Sequence, residues 1–309
     1  MYEIWQEPHE RQINRHEAWR TQQRTVDRCL DAQRRLGYEP VFALTTALGL
    51  FGVPAPPGIM LDDGPLHMCR GPNMPRRRVP LGLRQHQWRA VTSPGAVTRV
   101  FGIRCTTPAA TFAHIARYAM FESLIMLADR LSCRDPLLRR ATGRELAAFL
   151  QRHGGLAARD TAIRALHLSR DGTDSPAETR LRNAALQRGL PMPVVNHEVA
   201  VGFETSRFLD MAYPRFGVAM EFNGRHHAVQ AERDSTRLNA LGARNWRIFQ
   251  AWGSTLADER ALDEYCDDVK RGLEGAGASG FMRPRMGLWE LGDRRLHLDV
   301  LSSRDTPNV

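Results

Sequence analysis

Residues 207–224 read RFLDMAYPRFGVAMEFNG. Two largely apolar runs of strand length flank Pro214 to Gly217, a connection whose proline and glycine suit a tight turn. The pattern predicts antiparallel strands over 207–213 and 218–223. That joint sets Tyr213 opposite Val218, and the same register sets Asp210 opposite Glu221. Directly opposed side chains have Cβ atoms about 4.5–5.5 Å apart. Two carboxylates that close repel unless a cation sits between them or one takes a proton. Side-chain alternation sends Val218, Met220 and Phe222 into a core and leaves Asn223 on the same face as Glu221. Gly224 fits a sharp bend at the strand end, which puts Arg225, His226 and His227 at the rim of the carboxylate face.

Upstream, Ser175, Pro176 and Glu178 carry the residue types of a helix N-cap, first helical position and capping-box acid, with Gly189 past the far end. Capping alone is one account of Glu178. PVVNHEVAV (193–201) then reads as a strand. Downstream, QAERDSTRLNALGA (230–243) reads as a helix with Asp234 and Arg237 one turn apart, either an intrahelical ion pair or, for Arg237, a phosphate contact. NWRIFQAW (245–252) reads as a further strand and DERALDEYCDDVKRGLEG (258–275) as a closing amphipathic helix.

The chain has 309 residues, 42% hydrophobic and 25% charged, long enough for two cores. Turn-rich LSRDGTDSP (168–176) marks the expected boundary near 172. Four regions follow: a helical arm over 1–38, a mixed helical and short-strand domain over 39–172, a domain over 173–275 with a mixed sheet between helices, and a tail over 276–309 whose GLWELGDRRLHLDVL offers one more strand. The fold class is therefore α/β in the broad sense, α+β. In the 39–172 region an apolar helix is expected from Val41 to Phe51, ended by Gly52. Short strands are expected between Leu66 and Arg104, with the basic loop MPRRRVP (74–80) among them. Helices then start at Thr107-Pro108 and at Thr142, where Glu145 completes a capping box.

The net charge of +9 and a pI near 10.0 suit a polyanionic partner, most simply nucleic acid. Lys270 is the only lysine, so a lysine-dependent mechanism has almost nowhere to find one. The five cysteines are scattered without a CxxC pair, which points to free buried thiols rather than a zinc site or disulfide frame. No run approaches the roughly 18 apolar residues of a membrane span, and Met1 to Glu10 is polar without a signal-peptide pattern. Cytoplasmic location without membrane association is the expectation.

The ordered set SPAETRLR, LD, EFNGRHH and DSTR, spread over about Ser175 to Lys270, resembles the endonuclease-like domain related to very-short-patch mismatch-repair enzymes, within the PD-(D/E)XK (restriction-endonuclease-like) nuclease fold. Residues 40–170, with GIRCTTPAATFAHIAR and an LADRL helix, are similar to AbiEi-type antitoxin and regulator proteins. The first resemblance implies Mg²⁺ or Mn²⁺ at Asp210 and Glu221, a supporting role for Glu178, and His227 as proton carrier or phosphate contact. It also implies DNA as partner, with Arg182, Arg225, His226 and Arg237 as contacts. The family often has an acid where this chain has Asn223, and the wider motif a lysine. Asparagine ligates metal or orients water but cannot act as a base, which leaves His227, a carboxylate or relayed water for that task.

Two functional expectations follow. One is a metal-dependent DNA endonuclease with a regulatory or DNA-positioning N-terminal domain. The other is a non-catalytic, antitoxin-like DNA regulator, with a toxin or regulatory partner encoded elsewhere and a nuclease-like domain that only grips DNA. Convergence of Asp210 and Glu221 with Glu178 favours the first; splayed carboxylates, or Glu178 consumed by its helix cap, favour the second.

Overall fold

The computed structural model describes residues 8–76, 78–202, 206–223, 239–280 and 282–298. Its backbone contacts separate two units, one of His9–Asp171 and one that runs on from Gly172. Both are mixed α+β, each with its own mixed sheet.

In the first unit, β1 (Val41–Phe42) lies in the middle of a five-stranded sheet with β2 (Leu66–Arg70), β3 (Leu83–Gln87), β4 (Val97–Val100) and β5 (Ile103–Thr106), in the order β3-β2-β1-β5-β4. The helix expected from Val41 starts only at Leu44. Val41 and Phe42 are held extended by pairing with Cys69 and Met68 on one side, and Phe42 by Cys105 on the other. Sheet partners on both flanks override local helical pattern. Around the sheet pack α1 (Pro8–Leu36), α2 (Leu44–Leu50), α3 (Pro108–Ile115), α4 (Phe121–Leu131), α5 (Gly143–Arg152) and α6 (Arg159–Leu168). Thr107 caps α3 with Pro108 at its first position, and Thr142 and Glu145 form the expected capping box. Helix α1 is not a detached arm: Ala18, Cys29 and Ala32 are buried, and Arg15 forks onto the buried Asp135 at 2.7 and 2.9 Å. All five cysteines are free and buried.

A histidine cluster joins β2, β3 and α3 through His67, His86 and His114. His67 Nδ1 lies 2.9 Å from His86 Nε2, His67 Nε2 lies 3.1 Å from the Asp62 carbonyl, and the His114 ring stacks on Trp88 at 4.4 Å. A carbonyl only accepts, so Nε2 of His67 carries the hydrogen and Nδ1 receives one from His86. Burial drives the His86 ring down to about 4 and the His114 ring to about 3, with the neighbouring imidazoles adding to both shifts. Both rings stay neutral in the fold where an unfolded chain would bind protons. The stability that these neutral rings contribute is therefore fully present above pH 6.5 and is lost as pH falls from there towards 4 and 3. The loss is on the order of 1–3 kcal/mol, most of it from the deeper His114 because solvent screens His86. Chemical denaturation of wild type and His114→Phe between pH 7 and 4 checks this: the acid limb should flatten in the variant, and equal slopes would contradict it.

The second unit is built on α7 (Pro176–Gln187), β6 (Val194–Ala200), β7 (Ser206–Tyr213), β8 (Val218–Asn223), β9 (Arg247–Trp252), α8 (Gly253–Ala257), α9 (Glu259–Gly275) and α10 (Leu288–Leu291). Its sheet runs β6-β7-β8-β9, with the first two pairings antiparallel and β8-β9 parallel. The β7-β8 joint is a 3₁₀ turn, Pro214–Phe216, followed by Gly217 at φ 59°. A Cβ at Gly217 would stand 2.6 Å from the Asn245 carbonyl oxygen, so both the backbone angle and the neighbour require glycine there. One face of the sheet packs Met211, Tyr213, Val218, Met220 and Ala251 against Leu181 and Ala185 of α7 and Leu262, Val269 and Leu273 of α9. The other face holds Leu209, Ala212 and Ala219 with Leu241 and the partly buried Trp246 and Ile248.

The described residues between 283 and 298 do not form a loose tail. The Met286 N–H donates to the Gln187 carbonyl, Arg283 to Gly189 and Met192 to the carbonyl of Leu298, while Leu291 and Leu298 are buried. Arg285 joins Arg188 on Asp263 and Glu259. The segment straps the end of α7, and LWEL, expected within a strand, is instead the one-turn helix α10. Among the described residues no helix is long and apolar enough to cross a membrane.

Candidate active site: a carboxylate cluster where β7 and β8 part

The β7-β8 ladder pairs Tyr213 with Val218, Ala212 with Ala219 and Met211 with Met220, the register expected from sequence. One step further along that register lie Asp210 and Glu221. The paired ladder stops before them, and the Phe222 N–H is taken by Asp210 Oδ2 at 2.9 Å. The Asp210 side chain therefore reaches across to the β8 backbone.

Both β6 and β7 change face at this level. Val195 packs on the α7/α9 side, yet Val199, four residues on, packs on the other. Leu209 and Met211, two residues apart, also lie on opposite sides, although residues at even spacing in a regular strand share a face. The turnover point on β6 is Asn196, at φ 47°, whose side-chain amide donates to the Gly172 carbonyl. Asn196 stands where the β6-β7 register would place a partner for Asp210. The distortion puts Asp210 at the changeover between the two cores instead of flat within either.

Glu178 approaches from α7. Its N–H donates to Ser175 Oγ at 3.1 Å, and its carboxylate accepts the N–H of Asp174 at 3.1 Å, one residue earlier than a capping box would use. Glu178 is 8% exposed and Glu221 2%. Burial holds the Glu178 carboxyl well above the usual carboxylate range; the charge of Asp210 adds most to this after burial, then that of Asp174, against the pull of the bonds from Ser175 and Asp174. Glu178 is thus both a brace for its helix and an electrostatic neighbour of Asp210. Tyr265 of α9 was not singled out by sequence. Its hydroxyl donates to the Phe249 carbonyl at 2.9 Å, and burial raises its pKa, with Asp210 and Glu221 among the neighbours that add to the rise. The only signal for it was a tyrosine on the buried stripe of an amphipathic helix. Gln250 stands beside Glu221 in the parallel β8-β9 register.

Other expected site residues fare differently. Asn223 is half-buried at the last position of β8. Arg182, expected to contact DNA, is wholly buried and donates to Thr173 Oγ1 at 2.8 Å, so it serves the interior of the unit and offers nothing to a phosphate backbone. Lys270 lies on α9 beside Glu274. Gly224, Arg225, His226, His227, Asp234 and Arg237 lie outside the described residues.

The donor set is carboxylate oxygen, which suits a hard divalent cation such as Mg²⁺ or Mn²⁺. Among the described residues no group of three or more His, Cys, Asp and Glu side chains stands ready to hold an ion. Mg²⁺ is a cation that commonly takes only one or two protein carboxylates and completes its shell with water and phosphate, and Asp210 and Glu221 are the residues that would supply them.

For a carboxyl whose folded pKa is raised, the fold loses stability as pH rises from the ordinary carboxylate value near 4.5 through the folded value. Glu178→Gln should remove that loss, leaving the variant more stable than wild type at pH 8 and closer to it at pH 4. Urea unfolding at the two pH values measures this, and a variant less stable at pH 8 would contradict the electrostatic account. No protein-family model, curated protein or solved structure matches this chain.

Proposed function

We propose that the unit beginning at Gly172 is a divalent-metal-dependent endonuclease acting on DNA. The observation that carries this reading is the β7-β8 register, which brings Asp210 and Glu221 to the same level one step past the last paired residues, with Glu178 buried and Asp210 among the charges that raise its carboxyl. Like charges set side by side where a ladder ends call for a cation between them or a proton on one of them, and a cation is the reading taken here. Asp210 and Glu221 are the residues that would hold it, and a bound Mg²⁺ supplies Lewis-acid stabilisation of a phosphate and a water of lowered pKa. Asn223, two residues on from Glu221, would orient water and not take its proton. The Phe222 N–H fixes the aim of Asp210, and α7 fixes Glu178. The net charge of +9 supports a polyanionic substrate.

The regulator reading has observations of its own: the carboxylate of Glu178 is engaged at its helix start, and Asn223 stands where the resembled nucleases carry an acid or lysine. Nicking of supercoiled plasmid with Mg²⁺ or Mn²⁺ separates the two. Wild type should nick, while Asp210→Ala and Glu221→Ala, folded by circular dichroism, should fall by about 100-fold or more. Equal nicking by the variants, or none by wild type with either metal, would overturn the endonuclease reading.

A further inference from the structure

Between Gly64 and Phe121 the chain carries nine arginines and no Asp or Glu, where an even spread of its 34 acids would place about six. This segment supplies β2, β3, β4 and β5 of the first unit. Arg76, Arg78 and Arg89 are exposed. At its far edge β4 and β5 form a hairpin whose two turn residues are Phe101, at φ 48°, and Gly102, at φ 77°. Two successive positive φ angles are the geometry of a type I′ turn, which favours Asn, Asp or Gly at its first position. Phe101 is 63% exposed there. An aromatic ring that pays for a left-handed backbone and buries little of its own surface contributes nothing to folding that asparagine would not do better.

The tip is braced. Arg99 and Arg104 are a directly opposed pair two and three residues from the ring, and Arg99 donates to the Gly102 carbonyl and to Glu39 Oε2 at 2.7 Å. Opposed like charges weaken a hairpin, so Glu39 offsets on one strand what the pair costs.

We propose that this hairpin and the acid-free segment around it are a nucleic-acid-binding surface, with arginines neutralising phosphates and the Phe101 ring stacking on an unpaired base or wedging beside one. Charge complementarity selects the occupant: a polyanion that also offers flat apolar faces is nucleic acid. The inference rests on the nucleic-acid part of the function proposed above and is independent of cleavage.

The test uses the full chain in EDTA, which keeps it separate from any failure of the nuclease reading. Binding is measured by fluorescence anisotropy to a labelled duplex bearing one unpaired thymine, to the fully paired duplex, and across a salt series. Phe101→Asn, which suits the turn, should match or exceed wild-type stability yet bind the unpaired-base duplex about 5- to 100-fold more weakly, and Phe101→Trp should restore binding. Replacing Arg76, Arg78 and Arg89 together by alanine should lower the slope of log K against log salt by about two to three. Unchanged affinity in Phe101→Asn would overturn the stacking role and leave the tip to a protein partner; an unchanged salt slope in the arginine variant would overturn the surface.

Discussion

The arrangement of the second unit depends on the cost of holding carboxylates together away from water. Burial alone disfavours an ionised carboxylate, and a second one close by disfavours it further. Glu178 carries both penalties, and the fold meets them with an N–H from Asp174, a bond to Ser175 and a raised proton affinity. Asp210 is fixed by the Phe222 N–H, which would otherwise need another partner where the ladder ends. A core designed for stability alone would carry apolar residues at these positions. Acids at this level, where the β7-β8 ladder ends, are the feature on which the proposed cation site rests.

Everything around the cluster serves its placement. The 3₁₀ turn and Gly217 lock the β7-β8 register; the left-handed Asn196 turns β6 and β7 over at the level of Asp210; α7 brings Glu178 down onto the sheet. The strap over 283–298 holds the end of that helix. Gly189 shows how closely: at φ 88°, a Cβ there would stand 2.1 Å from the Arg283 carbonyl oxygen. The position of Glu178 therefore depends on residues about a hundred places further along the chain.

Much of this was legible because it is local. Pro214 and Gly217 announced the turn, and a tight turn propagates register down both strands, which is how Asp210 and Glu221 could be set opposite each other without coordinates. Ser175, Pro176, Thr107 and Thr142 announced helix starts through bonds that span three residues. What sequence missed was long-range. Val41 and Phe42 look helical until partners arrive on both sides. The strap reads as loose composition because its stabilising bonds go to α7 and to Met192. Arg182 looks like a phosphate contact within SPAETRLR, but the helix rotation set by Leu181 and Ala185 turns it inward. The turnover at Asn196 breaks strict alternation and leaves no compositional mark.

The most direct test of the central claim, that Asp210 and Glu221 are poised for a cation, is calorimetric titration of Mn²⁺ into wild type and into Asp210→Asn and Glu221→Gln. These amides keep side-chain volume and remove charge. The account predicts one saturable site in wild type, lost or weakened at least tenfold in each variant, with protons released on binding because Glu178 gives up its own. Equal Mn²⁺ affinity in all three proteins would contradict it, and so would no binding to wild type.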